Sequence, residues 1–393
     1  MTSPQFAIAS PGHASIYDAE AIALHKHDAL HFIAMGTRRG VDGLPAEVTR
    51  LKPTIGLFAY AAGRTLRPFA AESFRFRLYP WFDRWVKKQL RPGGHIISSY
   101  AYANESFKWV RAHGGRTFLD GGNSHPDNFW EILTEEHRLW KSPDPPVARH
   151  YYDRCRAMME HVDYVFTAST YVAQSFLKRG FKPEQLFPHP RPLNVSAFKP
   201  REGERPKDKP LTLIHTGALC LRKGTPYLLE AFRLVLEKSP QARLVLRDTV
   251  RDDVKEILAR YNDLPITWLG YMSHHELAEQ LRQADIFVLP SLEEGMVLTA
   301  VEAMGCGLPA ILTPNCGAND LIRPGISGEV VPIRDPRSMA DAILKWEEIV
   351  RRPGYRPSVT INQEHLTFDY FQKTFIGQLR DLGIVDPGEA AKS

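Results

Sequence analysis

The segment Ile286-Phe-Val-Leu-Pro-Ser-Leu-Glu-Glu-Gly-Met-Val-Leu-Thr-Ala-Val-Glu-Ala-Met-Gly-Cys-Gly-Leu-Pro309 decides the fold of this protein. Its first four residues are all apolar, as expected of a buried strand. A polar turn with Glu294 and Gly295 follows, and the apolar spacing then predicts a helix over Leu298–Met304. A buried strand that leads through a turn into a helix is the building unit of a parallel sheet covered by helices.

The same alternation of strands and helices continues on both sides of this segment. In the second half, the apolar runs predict strands at Leu211–His215, Arg243–Leu246, Ile266–Leu269, Ile286–Leu289 and Ala310–Thr313, with helices at Pro226–Glu237 and His274–Gln283. In the first half, they predict strands at His95–Ser99, Thr117–Leu119 and Tyr164–Ala168, and helices at Phe129–Trp140 and Tyr171–Arg179. The charged, proline-rich stretch 199–210 is typical of a linker between domains.

We therefore expect an α/β protein made of two Rossmann-like domains that face each other across a cleft. The predicted domains are 1–205 and 206–365, followed by a C-terminal helix and tail, 366–393, that can fold back on the first domain. In open α/β sheets, ligands bind at the carboxyl ends of the strands, so the functional residues should lie in the loops that follow the strands.

Composition excludes several classes of protein. The net charge of +5 over 393 residues is too small to indicate nucleic-acid binding. No apolar run reaches the roughly 18–20 residues of a membrane span, and the N-terminus lacks the features of a signal peptide, which predicts a cytoplasmic protein. Four scattered cysteines predict reduced thiols rather than a disulfide framework or a metal site.

A basic, aromatic block spans residues 75–91. Its cations and aromatic side chains would suit peripheral contact with an anionic membrane surface, here the inner one, or with an anionic acceptor. However, Phe82, Val86 and Leu90 follow helical spacing together with the two tryptophans, so the block is more simply the core face of a helix with solvated cations.

Two glutamates in the opening segment form the first candidate site. Glu302 follows Glu294 by eight residues, which is about 12 Å along a helix. Each carboxylate can accept hydrogen bonds from the two hydroxyls of a sugar or ribose diol. The amides of Gly295, Met296 and Val297 at the helix N-terminus would favour a diphosphate between them. The alternative is an acid that complements the helix dipole and an unrelated surface glutamate.

The loop His215-Thr-Gly-Ala-Leu-Cys-Leu-Arg-Lys-Gly224 is the second candidate site. Gly217 and Gly224 allow tight turns, and Arg222 and Lys223 supply positive charge for a phosphate. The loop is neither a Walker loop nor a GxGxxG fingerprint, which argues against P-loop nucleotidases and dinucleotide dehydrogenases. A solvated turn is the alternative.

Together these segments resemble the retaining nucleotide-sugar glycosyltransferases of family GT4, which have the two-domain GT-B fold. The resemblance is carried by Gly217, Leu219, Lys223 and Gly224 in the loop, Tyr227–Phe232, Leu269–Tyr271, Val288–Ser291, the glutamate pair with its following Ala-Met, Gly307–Pro309, Gly317 and Gly328. It covers nearly the whole second half and is fainter over 163–200, which leads into the linker.

The resemblance implies that 206–365 holds a UDP- or GDP-linked sugar and that 1–205 holds a hydroxyl acceptor. Glu302 would bind the donor ribose, Glu294 the donor sugar, and Lys223 the diphosphate. The other implied donor-binding residues are Gly217, Arg222, Tyr271, Gly295, Met296, Val297 and Leu298. Arg222 would replace an arginine that the family has where this chain has Ala218. The configuration of the sugar would be retained without a protein nucleophile, a cofactor or a metal ion.

In the first half, Asp120-Gly-Gly-Asn-Ser-His125 follows a predicted strand. His125 resembles a histidine that relatives place beside the donor sugar, and a surface or helix-capping role is the alternative. Glu135 and Glu136 suit a solvated helix face better than the acceptor site. Two rival functions remain: a GT-B-like epimerase or phosphorylase, and a non-catalytic GT-B subunit, which the replacement at Ala218 would favour.

Overall fold

The computed structural model describes residues 5–12, 14–194, 196–206, 208–247, 249–270, 272–358, 361 and 364–385. The first half contains a sheet of seven parallel strands in the order β3-β2-β1-β4-β5-β6-β7. The strands are β1 Phe6–Ser10, β2 Leu30–Met35, β3 Thr49–Leu51, β4 His95–Ser98, β5 Thr117–Gly121, β6 Tyr164–Thr167 and β7 Leu186–Pro188. The helices are α1 Ser15–Lys26, α2 Pro53–Thr65, α3 Pro68–Lys87, α4 Asn104–Ala112, α5 Pro126–Leu139, α6 Arg149–Met159 and α7 Thr170–Leu177.

The second half contains six parallel strands in the order β10-β9-β8-β11-β12-β13. The strands are β8 Thr212–Thr216, β9 Arg243–Arg247, β10 Ile266–Leu269, β11 Ile286–Leu289, β12 Ala310–Leu312 and β13 Gly328–Val330. The helices are α8 Thr225–Lys238, α9 Lys255–Leu258, α10 His274–Gln283, α11 Leu298–Gly305, α12 Pro336–Val350 and α13 Phe368–Asp381. This is the doubly wound order of a Rossmann domain, and its strand order reverses between β8 and β11.

The architecture confirms the predicted α/β fold with two Rossmann-like sheets. The predicted strands of the second half differ from the observed ones by one residue at most at either end. The short strands β3, β7 and β13 were not predicted, and neither were β1 and β2 of the first half. Both are rich in alanine or contain histidine, residues that carry a weaker strand signal than Val, Ile or Phe.

Apolar side chains fill both faces of each sheet. In the second half, α8 and α12 cover one face, where Trp346 and Phe232 are fully buried, and α10 and α11 cover the other. Helix α13 leaves the second half and packs against α1, with Phe371 and Phe375 in the core of the first domain. The chain therefore crosses between the domains twice, at the linker and again before α13.

Most of the basic block 75–91 lies on helix α3. In the C-terminal part of α3, Phe82 and Val86 are fully buried, and Asp83 pairs with Arg154 at 2.6 Å. The N-terminal part of the block carries exposed cations, among them Arg75. Phe76 and Tyr79 are buried on the same helix, so the interpretation as a core-facing helix with solvated cations describes both parts of the block. No helix in the described ranges has the length and apolar character needed to cross a membrane.

Candidate active site

The two candidate loops meet at the point where the strand order of the second sheet reverses. Strands β8 and β11 are neighbours, so the loops after them lie side by side at the carboxyl edge. The amide of Leu292 donates to the carbonyl of Arg222 at 2.9 Å. Gly224 has a φ of 69° and packs so closely on Pro290 that a Cβ would overlap the carbonyl oxygen of Pro290. The glycine is therefore required both for its backbone conformation and for this contact.

Two cations and two carboxylates converge at this junction. Lys223 Nζ lies 3.0 Å from Glu294 Oε2, and the Arg222 guanidinium lies 3.3 Å from both Glu294 and Glu293. The Lys223 side chain passes over Gly217, whose φ is 125°. The loop therefore brings both cations next to the glutamate that was predicted from the spacing of the acid pair.

Burial raises the pKa of both adjacent glutamates, but their charged neighbours leave the two pKa values shifted in opposite directions. Burial alone raises the pKa of Glu294, but Arg222 and Lys223 outweigh it and hold the pKa below its usual range. Burial raises the pKa of Glu293, and the charge of Glu294 adds to that rise while Arg222 opposes it. Glu294 is thus held as an anion between two cations.

Glu302 lies on α11 in a different environment. It is 5% exposed, and its Oε2 has no hydrogen-bond partner among the described residues. Burial raises the pKa of its carboxyl to about 7, against a smaller lowering effect of Arg247. A buried carboxylate oxygen that lacks a donor is suited to accept a hydrogen bond from a ligand hydroxyl.

The backbone before α11 presents free amide groups to the same place. The first amides of any α-helix have no intrahelical acceptor. In α11 the N-cap residue is Val297, and its side chain does not cap these amides. Gly295 touches the other domain so closely that a Cβ would overlap the carbonyl oxygen of Gly122. Met296 packs against core residues of both domains, and Val297 is buried in the second. Leu298 begins the helix.

Hydrogen bonds across the domain boundary hold the two halves together around this site. Ser124 N donates to Glu293 Oε1 at 2.9 Å, and Ser169 Oγ donates to the Gly295 carbonyl at 2.7 Å. At the far end of α5, the fully buried Glu136 pairs with Arg334 at 2.7 Å. The expectation of a solvated face is therefore wrong for Glu136. Glu293 was not predicted, because nothing in the sequence distinguishes it from the adjacent Glu294, and only the structure shows that it faces the first domain.

His125 caps α5. Its Nδ1 accepts a hydrogen bond from the Asp127 amide at 3.2 Å, and its ring packs against Phe176 and Phe181. The side chain is 5% exposed, and burial lowers its pKa to about 4. The histidine is therefore neutral near pH 7, with its proton on Nε2. These contacts match the capping alternative, and they supply no charge for catalysis.

A cavity of about 370 Å³ lies between the domains on the other side of the cations. Arg222, Lys223 and Ala218 line it from the second domain. Aromatic side chains of the first domain line the opposite wall: Phe69, Phe76, Tyr79, Tyr100, Tyr102, Phe129, Tyr151 and Tyr152. The lining also contains further charged side chains of both signs, among them Arg251, Asp252 and Asp253, so the cavity suits an organic molecule with polar groups.

Tyr271, which was predicted to contact the donor, lies outside the described residues. Within the described ranges, no group of three or more His, Cys, Asp or Glu side chains converges as a metal site requires.

The second half of the chain is similar to a known protein family. Residues 197–352 match the family described as glycosyl transferases group 1. The chain is 24% identical over 245 residues to WcaL of Escherichia coli K12, a candidate glycosyltransferase of colanic acid biosynthesis. The match spans 60% of this chain and 60% of that protein.

Comparison with solved structures identifies the fold. A sucrose-phosphate synthase from Thermosynechococcus elongatus superposes with a TM-score of 0.68 at 20% identity, over 98% of this chain and all of the other. HepE of Anabaena, solved with UDP and glucose, superposes with a TM-score of 0.60 at 14% identity, over 96% and 100% of the two chains. At these identities the likeness shows the shared two-domain fold alone.

Proposed function

We propose that the protein is a retaining transferase acting on a nucleoside diphosphate sugar, from the premise that residues 197–352 match the family of glycosyl transferases group 1. The donor is UDP- or GDP-linked and binds mainly to 206–365. A hydroxyl acceptor binds mainly to 1–205. The observation that carries the proposal is the meeting of Lys223, Arg222 and Glu294 at the switch point of the second sheet, with the buried Glu302 on the following helix.

Each part of this arrangement has a chemical task in the proposed reaction. Glu302 accepts hydrogen bonds from the ribose hydroxyls of the donor, and Glu294 accepts them from the transferred sugar. When the bond to the sugar breaks, negative charge grows on the leaving diphosphate. Lys223, Arg222 and the amides before α11 stabilise that charge where it develops. The leaving phosphate then takes the proton of the acceptor hydroxyl, so no protein base is required.

The cavity beside the cations is the proposed acceptor site. Lys223 and Arg222 line it, so an acceptor hydroxyl in the cavity lies next to the leaving group. Arg222 is also the proposed replacement for the arginine that the family has where this chain has Ala218. Its guanidinium lies within 3.3 Å of Glu294 and provides the second cation from a different position in the loop. This favours an active transferase over a non-catalytic subunit.

The first experiment is a thermal-shift screen of the full chain against UDP, GDP, ADP and CDP. A nucleotide that binds the folded state raises the melting temperature with the logarithm of its saturation. The corresponding nucleotide sugar is then incubated alone and with hydroxyl acceptors, and the products are analysed by NMR. Epimerisation of the sugar without an acceptor would identify the rival epimerase activity.

Glu294→Gln is the decisive variant in that assay. The variant removes the negative charge that faces both Lys223 and the transferred sugar. Transfer should therefore fall by about a hundredfold or more, while nucleotide affinity changes only modestly. Glu348→Gln on the exposed side of α12 is the matched control and should behave like the wild type. Equal activity of the two variants would contradict the assignment.

A further inference from the structure

An exposed apolar surface lies on the first domain, away from the cations. Among the described residues, large apolar side chains that are exposed concentrate in 51–81, which holds seven of them, against five in the rest. They are Leu51, Leu57, Phe58, Tyr60, Leu66, Phe74 and Trp81. We call α2 and the first half of α3, residues 53–81, the exposed hairpin. Concentrated apolar surface of this kind marks an interaction site.

The two helices of the exposed hairpin present one continuous surface. The rings of Phe58 on α2 and Trp81 on α3 lie 6.2 Å apart, and Lys52 Nζ lies 4.7 Å from the centre of the Trp81 ring. Tyr60 is 64% exposed, and Arg64 donates to its hydroxyl at 3.1 Å. Aromatic rings next to cations are the side chains that settle at the boundary between lipid headgroups and acyl chains.

The positive charge of the exposed hairpin indicates an anionic partner. The exposed hairpin contains four basic side chains and one acidic side chain, and Arg50 and Lys52 directly precede it. The single acid, Glu72, is already paired with Arg75 at 3.2 Å. A surface that is both apolar and strongly basic complements an anionic lipid bilayer, and each cation near such a membrane strengthens binding about fivefold.

We propose that the exposed hairpin docks on an anionic membrane surface and that the acceptor is carried by a lipid of that membrane. The second part rests on the proposed function, because it takes the cavity as the acceptor site. Helix α3 connects the two. Its outer side carries Phe74 and Trp81, while Phe69, Phe76 and Tyr79 on the same helix line the cavity. Docking therefore brings the cavity next to the bilayer.

The test is co-sedimentation of the full chain, without nucleotide, with phosphatidylcholine vesicles that contain or lack phosphatidylglycerol. Binding should require phosphatidylglycerol and weaken with added salt. Leu57→Ser with Phe58→Ser should reduce binding by about tenfold or more, because each apolar side chain that leaves water contributes on that order. Arg64→Gln with Arg67→Gln removes two cations and should reduce binding by about twenty-five-fold.

Trp268→Ser with Ile326→Ser is the matched control. These side chains are as exposed as those of the hairpin but lie on the second domain, so the pair should bind vesicles like the wild type. The proposal is overturned if wild type does not sediment with either vesicle, if sedimentation is independent of phosphatidylglycerol, or if the control loses binding as the hairpin variants do. It is also overturned if the hairpin instead joins two copies, seen as a dimer that Leu57→Ser with Phe58→Ser converts to a monomer.

A separate measurement keeps this result distinct from the proposed function. The hairpin variants should show the same nucleotide-induced thermal shift as the wild type, because the donor residues lie on the other domain. If no nucleoside diphosphate stabilises the wild type, the proposed function fails while the sedimentation result still decides docking. The lipid-carried acceptor is tested by transfer to membrane lipid extract, in which the hairpin variants should lose activity relative to the wild type.

Discussion

Replacing Glu302 with glutamine should make the unliganded protein more stable and its nucleotide binding weaker. Burial raises the pKa of this carboxyl from 4.5 to about 7. Between these pH values, the folded protein keeps a proton at Glu302 that the unfolded chain has released. Stability contributed by the protonated group is therefore complete below about pH 4.5 and is lost as the pH rises through about 7.

The size of the effect follows from the same two values. Each pKa unit corresponds to about 1.4 kcal/mol, so ionising Glu302 costs about 3 kcal/mol of folding free energy at pH 8. Glutamine resembles the protonated acid and avoids this cost. The stability gain of Glu302→Gln over the wild type should grow by about 2 kcal/mol between about pH 5.5 and pH 8, which is several degrees in melting temperature.

Thermal unfolding of wild type and Glu302→Gln at the two pH values measures the stability gain, with Glu348→Gln as the exposed control. Titration calorimetry with the nucleotide found by screening measures the second effect. Loss of a charged acceptor should weaken binding by about tenfold or more. A variant that melts no higher than the wild type at pH 8 would refute the reasoning from burial. Unchanged nucleotide affinity would refute the ribose contact.

Three other substitutions test the architecture of the site. Lys223→Ala should lower turnover by about a hundredfold or more and weaken nucleoside diphosphate binding, measured by steady-state kinetics and calorimetry, and unaltered kinetics would make the loop purely structural. Gly295→Ala places a methyl group against the Gly122 carbonyl and should hold the domains apart. The radius of gyration in solution scattering should rise, and transfer should be abolished while nucleotide still binds. An unchanged radius with full activity would contradict this close approach. Gly224→Ala combines a left-handed backbone with overlap on Pro290, and urea unfolding should show a loss of about 1–3 kcal/mol, whereas wild-type stability would contradict the strain.

The sequence alone was sufficient to predict strands β8 to β12 of the second domain and the two loops of the candidate site. Apolar runs such as Ile286–Leu289 specify buried strands locally, and in a parallel sheet the loops after them must lie at one edge. The spacing of Glu294 and Glu302 and the position of Lys223 therefore indicated a candidate site from the sequence alone. The local sequence was less informative for β1 than for these strands, because its alternating alanines carry little strand preference.

Only the tertiary structure decided which neighbours each of these side chains meets. It placed Glu293 against Ser124 of the other domain, made His125 a helix cap, and buried Glu136 opposite Arg334. Helical and strand periodicity reports which side of an element is buried, but it contains no information about the segment that buries it. The partners of Glu293 and Glu136 lie 169 and 198 residues away along the chain, and the packing of two complete domains brings them together.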